Sequence, residues 1–236
     1  MVLPRFASTV VLLRPNENSS FEVLLTRRPA EMRFLGGFYV FPGGTVHEED
    51  YSARILQHCR GLSGNEARNI LGNRHDPQVA IGHWIAAIRE LFEEVGVLLC
   101  ESRSSTPIDW HDQTTKERFE IKRRGIVKKE LDLGEFLESE GLYCDLSRMV
   151  YFFHRVTPAI YSMRFDTRFY LAVLPAHQTP LARSEEVTHS LWIKPAVALS
   201  QVDRHDFPIL PPTTTVLEDL ADFDSWDDLC ARYRLG

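Results

Sequence analysis

A chain of 236 residues with 44% hydrophobic and 25% charged residues is long enough to bury a sizeable core, and this balance excludes a disordered or fibrous polymer. A formal net charge of −6 excludes the basic footprint of an electrostatic nucleic-acid binder. The cysteines, Cys59, Cys100, Cys144 and Cys230, form no CxxC pair, which argues against a zinc ribbon or redox motif and fits free thiols in a reducing compartment.

The opening apolar run ends at Arg14, too early to span a bilayer, and lacks the basic start and small-residue cleavage site of a signal peptide. It reads as a strand over Ala7–Leu13, paired as a hairpin with Phe21–Thr26 across the turn-forming stretch 14–20. Phe38–Phe41 reads as a third short strand, stopped by Pro42-Gly43-Gly44. Tyr51–Arg60 reads as a helix, and Ser63 caps another that reaches Leu71. Asp76-Pro77, a capping residue followed by a first-turn proline, opens a helix that runs to Val95.

Ser102–Asp112 reads as a loop, followed by helices over Thr114–Glu130 and Leu133–Glu140. The basic run Lys122-Arg123-Arg124 on the first of these reads as a solvated face. Strands are expected over Leu146–Val156, Phe165–Leu174 and Ser190–Ile193, and a helix over Pro195–Val202. The proline-rich turn Pro208–Pro212 precedes two C-terminal helices. Strands interspersed with helices give an α/β or α+β class. The chain closes on Arg234-Leu235-Gly236 rather than a peroxisomal Ser-Lys-Leu, so the cytoplasm is the expected compartment.

The chemistry concentrates in Arg89-Glu90-Leu91-Phe92-Glu93-Glu94-Val95-Gly96-Val97. On a helical wheel Glu93 and Glu94 fall about 60° and 40° to either side of Glu90, so three carboxylates share one face. Ile81, Ile85, Ile88, Phe92 and Val95 face the other way, and Gly96 stands where a left-handed cap belongs. Such a face is either a solvated acidic surface or a site for a hard divalent cation. Upstream, Phe41-Pro42-Gly43-Gly44 provides a turn whose glycines let the backbone approach a ligand closely.

Together these residues resemble the signature of the Nudix hydrolases, Gly-x5-Glu-x7-Arg-Glu-U-x-Glu-Glu-x-Gly-U with U aliphatic. Arg89, Glu90, Leu91, Glu93, Glu94, Gly96 and Val97 fit its second half. Asp50 stands in place of the first glutamate, and 38 residues separate it from Arg89 where the pattern has seven. The stretch Leu24 to Gly44 is similar to the coenzyme A-type Nudix motif, with Leu24, Leu25, Thr26, Arg28, Arg33, Gly37 and Phe41–Gly44 in place. The long insertion is similar to that of the acyl-CoA diphosphatase branch, as are Thr157-Pro158 and Arg164–Tyr170.

The resemblance implies one Nudix domain over 1–236, an α/β/α sandwich with a mixed β-sheet, a helical insertion at 51–76 and a C-terminal helical extension at 208–236. It implies Mg²⁺ or Mn²⁺ held by Glu90, Glu93, Glu94 and the Gly44 carbonyl, with Arg89 orienting Glu93. The general base is Glu93, or Glu185 or Glu186 from a later loop; His154 and His189 are left out of the site. Arg28 and Arg33, with Gly43 and Gly44, are the expected substrate contacts. The implied substrate is a small CoA-like nucleotide, CoA or acyl-CoA, cleaved to 3′,5′-ADP and 4′-phosphopantetheine. ADP-ribose or NADH hydrolysis is the alternative within the class, and a non-catalytic nucleotide-binding protein the alternative outside it. No nucleic-acid or membrane partner is expected, and a homodimer stays open.

Overall fold

A computed structural model describes residues 2–17, 19–32, 34–104, 108–202, 204 and 207–235. Its centre is the hairpin of β1 (Arg5–Pro15) and β2 (Phe21–Arg27), which pair antiparallel only near their turn, from Leu13↔Val23 to Pro15↔Phe21. Beyond that the two strands part. Two short strands fill the gap: β3 (Tyr39–Val40) pairs with β2, and β4 (Gly43–Thr45) pairs with β1 through Ser8↔Gly44 and Thr9↔Gly43. The glycine turn expected to stop a strand is thus itself a strand. Unmet hydrogen-bonding groups along the parted β1 give it a partner.

The sheet is completed by β8 (Met149–Val156), β9 (Phe165–Val173) and β10 (His189–Ile193) in the order β10-β2-β1-β9-β8. β9 runs parallel to β1 over nine register pairs and the other pairings are antiparallel, so the sheet is mixed. Period-two alternation sends Val10 and Leu12 to one face and Val11 and Leu13 to the other. The first face packs on α3 (Pro77–Val95). The second packs on α7 (Pro211–Ala221) and α8 (Trp226–Tyr233), with α6 (Pro195–Leu199) beside them. The layers are α/β/α, as expected.

α3 starts and stops where the sequence places it. The Asp76 side chain accepts from the Gln78 amide, Pro77 occupies the first turn, and Gly96 closes the helix at φ 71°. Ile81, Ile85, Ile88, Phe92 and Val95 are all buried on its apolar back. The preceding segment differs from expectation. Tyr51–Arg60 is not one helix but a 3-10 turn (Glu48–Tyr51), a single helical turn α1 (Ala53–Leu56) and a strand β5 (Cys59–Arg60); α2 (Gly64–Ile70) follows, capped by Ser63. The competing interaction is a small second sheet, β5-β7-β6, made with β6 (Cys100–Ser102) and β7 (Leu142–Asp145). The Cys144 amide donates to the His58 carbonyl and draws this segment out of helix.

β7 lies in a stretch with no expected element, and β6 overlaps the expected loop only at Ser102. Asp145 caps a 3-10 turn at Leu146–Arg148, which delays β8 to Met149. α4 (Gln113–Val127) and α5 (Leu133–Glu140) match expectation within three residues at each end. All four cysteines are free thiols. Among the described residues no helix is long and apolar enough to cross a membrane.

His83 on α3 is fully buried, with Nδ1 3.1 Å from Ser8 Oγ and with Phe6, His75 and Arg168 around it. Burial pushes its pKa down to about 3 from an ordinary 6.5. The unfolded chain then binds a proton that the folded chain refuses, so stability is lost as pH falls from 6.5 towards 3. His83→Gln is expected to flatten the stability-against-pH slope in that window, as read by urea denaturation; an unchanged slope would remove His83 as its source.

Candidate active site

The carboxylate face of α3 is not a solvated surface. Glu90 and Glu94 are buried at 7% and 2% exposure, and Glu93 is half-buried. The covering structure is β4. A Cβ at Gly44 would collide with the Glu90 carboxylate, and one at Gly43 with the Ser8 carbonyl. Only glycines allow β4 to lie against β1 and α3 together.

Burying three carboxylates within one turn requires compensation. Most of it comes from Arg89, whose guanidinium donates to five acceptors. Nε and Nη2 meet Asp50 Oδ1 and Oδ2 at 2.8 and 3.1 Å, and Nη2 also meets the Thr45 carbonyl at 2.7 Å. Nη1 meets Glu90 Oε1 at 2.8 Å and Glu93 Oε1 at 3.0 Å. All five of its N–H donors are used. Arg89 therefore orients Glu93, as expected, and Glu90 as well. Asp50 is 2% exposed and is fixed in turn by the His47 amide at 2.8 Å. The 38 residues between Asp50 and Arg89 are 31 more than the pattern has, yet the fold returns to the pair what sequence spacing separates.

Glu94 turns away from Arg89 to Arg28, with Nη1 3.7 Å from Oε1, and receives a Gly43 backbone hydrogen bond. Arg28 Nε and Glu94 Oε2 are buried without hydrogen-bond partners. Burial pushes the Glu90 pKa up to about 7, with Glu93 and Asp50 adding to the rise and Arg89 opposing it. Burial likewise holds Glu94 well above, and Glu93 above, the ordinary carboxylate range. Four carboxylates, Asp50, Glu90, Glu93 and Glu94, face two guanidiniums, Arg28 and Arg89. That is a formal excess of two negative charges. Among the described residues no three His, Cys, Asp or Glu side chains converge closely enough to enclose a metal ion by themselves. The cause is the split orientation, with Glu90 and Glu93 on Arg89 and Glu94 on Arg28.

Asp50, Glu90, Glu93, Arg28 and Arg89 line a cavity of about 1070 Å³, and Glu94 is buried beside it. One wall comes from β1, β8, β9 and the turn after β8 and carries Thr9, Arg155, Thr157, Thr167 and Phe165, with the Phe34 ring tilted against Phe165 at 4.8 Å between centroids. The opposite wall is the α4–α5 connection, Lys129 to Leu133. From 51–76 only Ile55 reaches the lining, so the insertion shapes the cavity less than its neighbours do. Of the loop carboxylates, Glu186 lines the cavity while Glu185 pairs with Arg123 at 2.9 Å. Arg33 lies outside the described residues. His154 pairs with Asp166, His189 is exposed, and neither lines the cavity. Arg123 belongs to the basic run read as solvated, yet only 2% of it is exposed. No periodicity in the sequence marks it or Arg155.

The Arg89–Asp50 pair makes a direct prediction. Asp50→Ala strands a buried guanidinium and is expected to cost about 3–5 kcal/mol in urea unfolding, with Asp50→Asn milder because its amide oxygen still accepts. A loss within about 0.5 kcal/mol for Asp50→Ala, as at an ordinary surface site, would show that Asp50 does not brace Arg89.

The NUDT19 Nudix domain model matches residues 75–220, more than half of the chain. Among curated proteins, acyl-coenzyme A diphosphatase NUDT19 of Xenopus laevis is 27% identical over 241 residues, covering 91% of this chain and 63% of that protein. Its Gallus gallus namesake is 27% identical over 243 residues, covering 89% and 63%. The chain thus spans about three-fifths of the length of the curated relatives it matches. A crystal structure of a NUDIX hydrolase from Alicyclobacillus acidocaldarius superposes with a TM-score of 0.76 at 28% identity, covering 98% of this chain and 97% of that one. The buried Arg89–Glu94 helix under a glycine strand, the three-layer fold and these matches lead to one assignment: the chain belongs to the NUDT19 Nudix domain family.

Proposed function

We propose that the chain hydrolyses the diphosphate of a nucleoside-diphosphate-linked substrate with the help of a divalent cation, and that the substrate is CoA or an acyl-CoA. The observation that carries the reading is the formal excess of two negative charges on Asp50, Glu90, Glu93 and Glu94, three of which line a large cavity. The donor set fits Mg²⁺ or Mn²⁺. Glu94 Oε2 is buried without a partner, and a charge excess of two is that of one divalent ion. Hard cations of this kind need only a few carboxylates, the remaining positions being filled by water and substrate phosphate. Glu90, Glu93, Glu94 and the Gly44 carbonyl are the groups that would hold it. When bound it neutralises the diphosphate and lowers the pKa of water.

The chain's own residues supply the rest. Arg89 fixes Glu90 and Glu93 through one Nη1, so neither carboxylate swings freely. Arg28, already beside Glu94, carries a guanidinium suited to a diphosphate oxygen. Gly43 and Gly44 keep side chains out of the approach. Glu93 and Glu186 are the two candidates to accept the proton of the attacking water. Glu186 lies near enough to Glu93 and Glu94 to raise both, so the carboxylates form one electrostatic unit. Arg33 remains a proposed substrate contact on the resemblance of its motif.

The CoA assignment is supported by the motif from Leu24 to Gly44, by the names of the matched relatives and by a cavity above the roughly 300–1,000 Å³ usual for small-ligand sites. Its walls present both aromatic rings and the cations Arg155 and Lys129, a pairing suited to a base-bearing, multiply phosphorylated molecule.

Two measurements test this. A panel of CoA, acyl-CoA, ADP-ribose and NADH with Mg²⁺ or Mn²⁺ is expected to show the highest kcat/KM on CoA or an acyl-CoA; rapid turnover of ADP-ribose with CoA untouched would overturn the substrate. Glu94→Gln is expected to abolish turnover of every panel member while leaving the fold intact by circular dichroism. Full retained activity would remove Glu94 from the chemistry.

A further inference from the structure

Arg123 sits on α4, outside the signature helix and outside the cavity lining, yet its guanidinium is almost wholly buried. Nη1 donates to the Glu93 backbone carbonyl at 2.5 Å, Nε and Nη2 to Glu120 at 2.8 and 2.9 Å, and Nη2 also to Glu185 at 2.9 Å. Each acceptor has a meaning. The Glu93 carbonyl belongs to the last turn of α3, where carbonyls have no intrahelical donor and a cation complements the helix dipole. Glu185 is the residue before Glu186. Glu120 is one turn away on α4 and holds the guanidinium on its own helix.

Arg124 Nε also lies 3.7 Å from Glu185 Oε1, at an exposed side chain, and one backbone bond ties the loop to the helix end while another braces the loop internally. The Leu181 amide donates to the Val95 carbonyl at 2.8 Å, and the Ser184 amide to the Val187 carbonyl at 2.9 Å. Val187 is buried, which sets the far end of the loop. Between these anchors Glu185 and Glu186 point in opposite directions, one to Arg123 and one into the cavity.

We infer that Arg123 is a positioning residue that locks the Glu185-Glu186 loop to the end of the acidic helix, so that Glu186 and Glu93 are held at a fixed separation across the cavity. It touches neither substrate nor reacting atoms. The inference rests on the reading of Glu186 given above only for its effect on rate; the bridge itself does not depend on that reading.

The test compares Arg123→Met, Glu185→Ala, Glu186→Gln and the double variant Arg123→Met/Glu186→Gln. Hydrolysis of the best panel substrate and amide hydrogen exchange of peptide 182–188 are both followed. Arg123→Met is expected to lower kcat about 10- to 100-fold, the usual effect of losing an outer supporting contact, with KM changed less than about threefold. The double variant is expected to be no slower than Glu186→Gln alone, because both changes act through one carboxylate. Exchange over 182–188 is expected to rise while exchange in β1 and β9 stays unchanged. Multiplying losses in the double variant, or unchanged protection of 182–188, would overturn the inference. If Arg123→Met does not fold, Glu185→Ala cuts the same link from a side chain 43% exposed and should raise exchange over the same peptide. If the wild-type protein turns over no panel member, the functional reading fails while the exchange measurement still decides the bridge.

Discussion

The buried fork between Arg89 and Asp50 is the interaction on which the rest of the structure depends. Among the described residues Arg89 is the cation that bonds Asp50, Glu90 and Glu93 together, and it also reaches the backbone of β4 through Thr45. A buried charge is least costly when every hydrogen-bonding group on it is met. Here one guanidinium meets that demand by joining three segments: β4, the 3-10 turn at Asp50 and the start of the acidic turn of α3. Removing any one of them leaves charge stranded in the interior. The fold and the site are therefore the same object at this point, and stability there is coupled to the geometry needed for chemistry.

The sheet contributes by coming apart. β1 and β2 could have paired along their whole length, but they pair only near the turn and leave room for β3 and β4. That wedge carries Gly43 and Gly44 to the middle of the sheet and presses them on Glu90. The second helical layer, α7 and α8, seals the opposite face and leaves the cavity between the strand ends and the α4–α5 connection.

Much of this was legible in the sequence, for physical reasons that can be named. α3 was readable at both ends because Asp76-Pro77 and Gly96 are local signals, and its two faces were readable because helical period sorts apolar from acidic residues. That Glu90, Glu93 and Glu94 share one face followed from helical spacing, while a metal-binding role for them is what the resemblance to the Nudix signature implies. What was not legible depended on tertiary partners. Cys59–Arg60 is a strand because β7 offers it an edge, and nothing local at Tyr51–Arg60 says so. Arg123 reads as one basic residue among several, and only folding shows that it alone turns inward. Asp50 was suspect because its spacing to Arg89 departs from the family pattern, yet distance along the chain is no obstacle to a salt bridge once the insertion folds back on itself.

The central claim is that the excess negative charge under β4 binds a divalent cation. Anomalous diffraction from crystals of this chain grown with Mn²⁺ tests it most directly. The account predicts an anomalous peak within ligand distance of Glu90, Glu94 and the Gly44 carbonyl, with Arg89 still on Asp50. A peak elsewhere, or none at this cluster at saturating Mn²⁺, would contradict it.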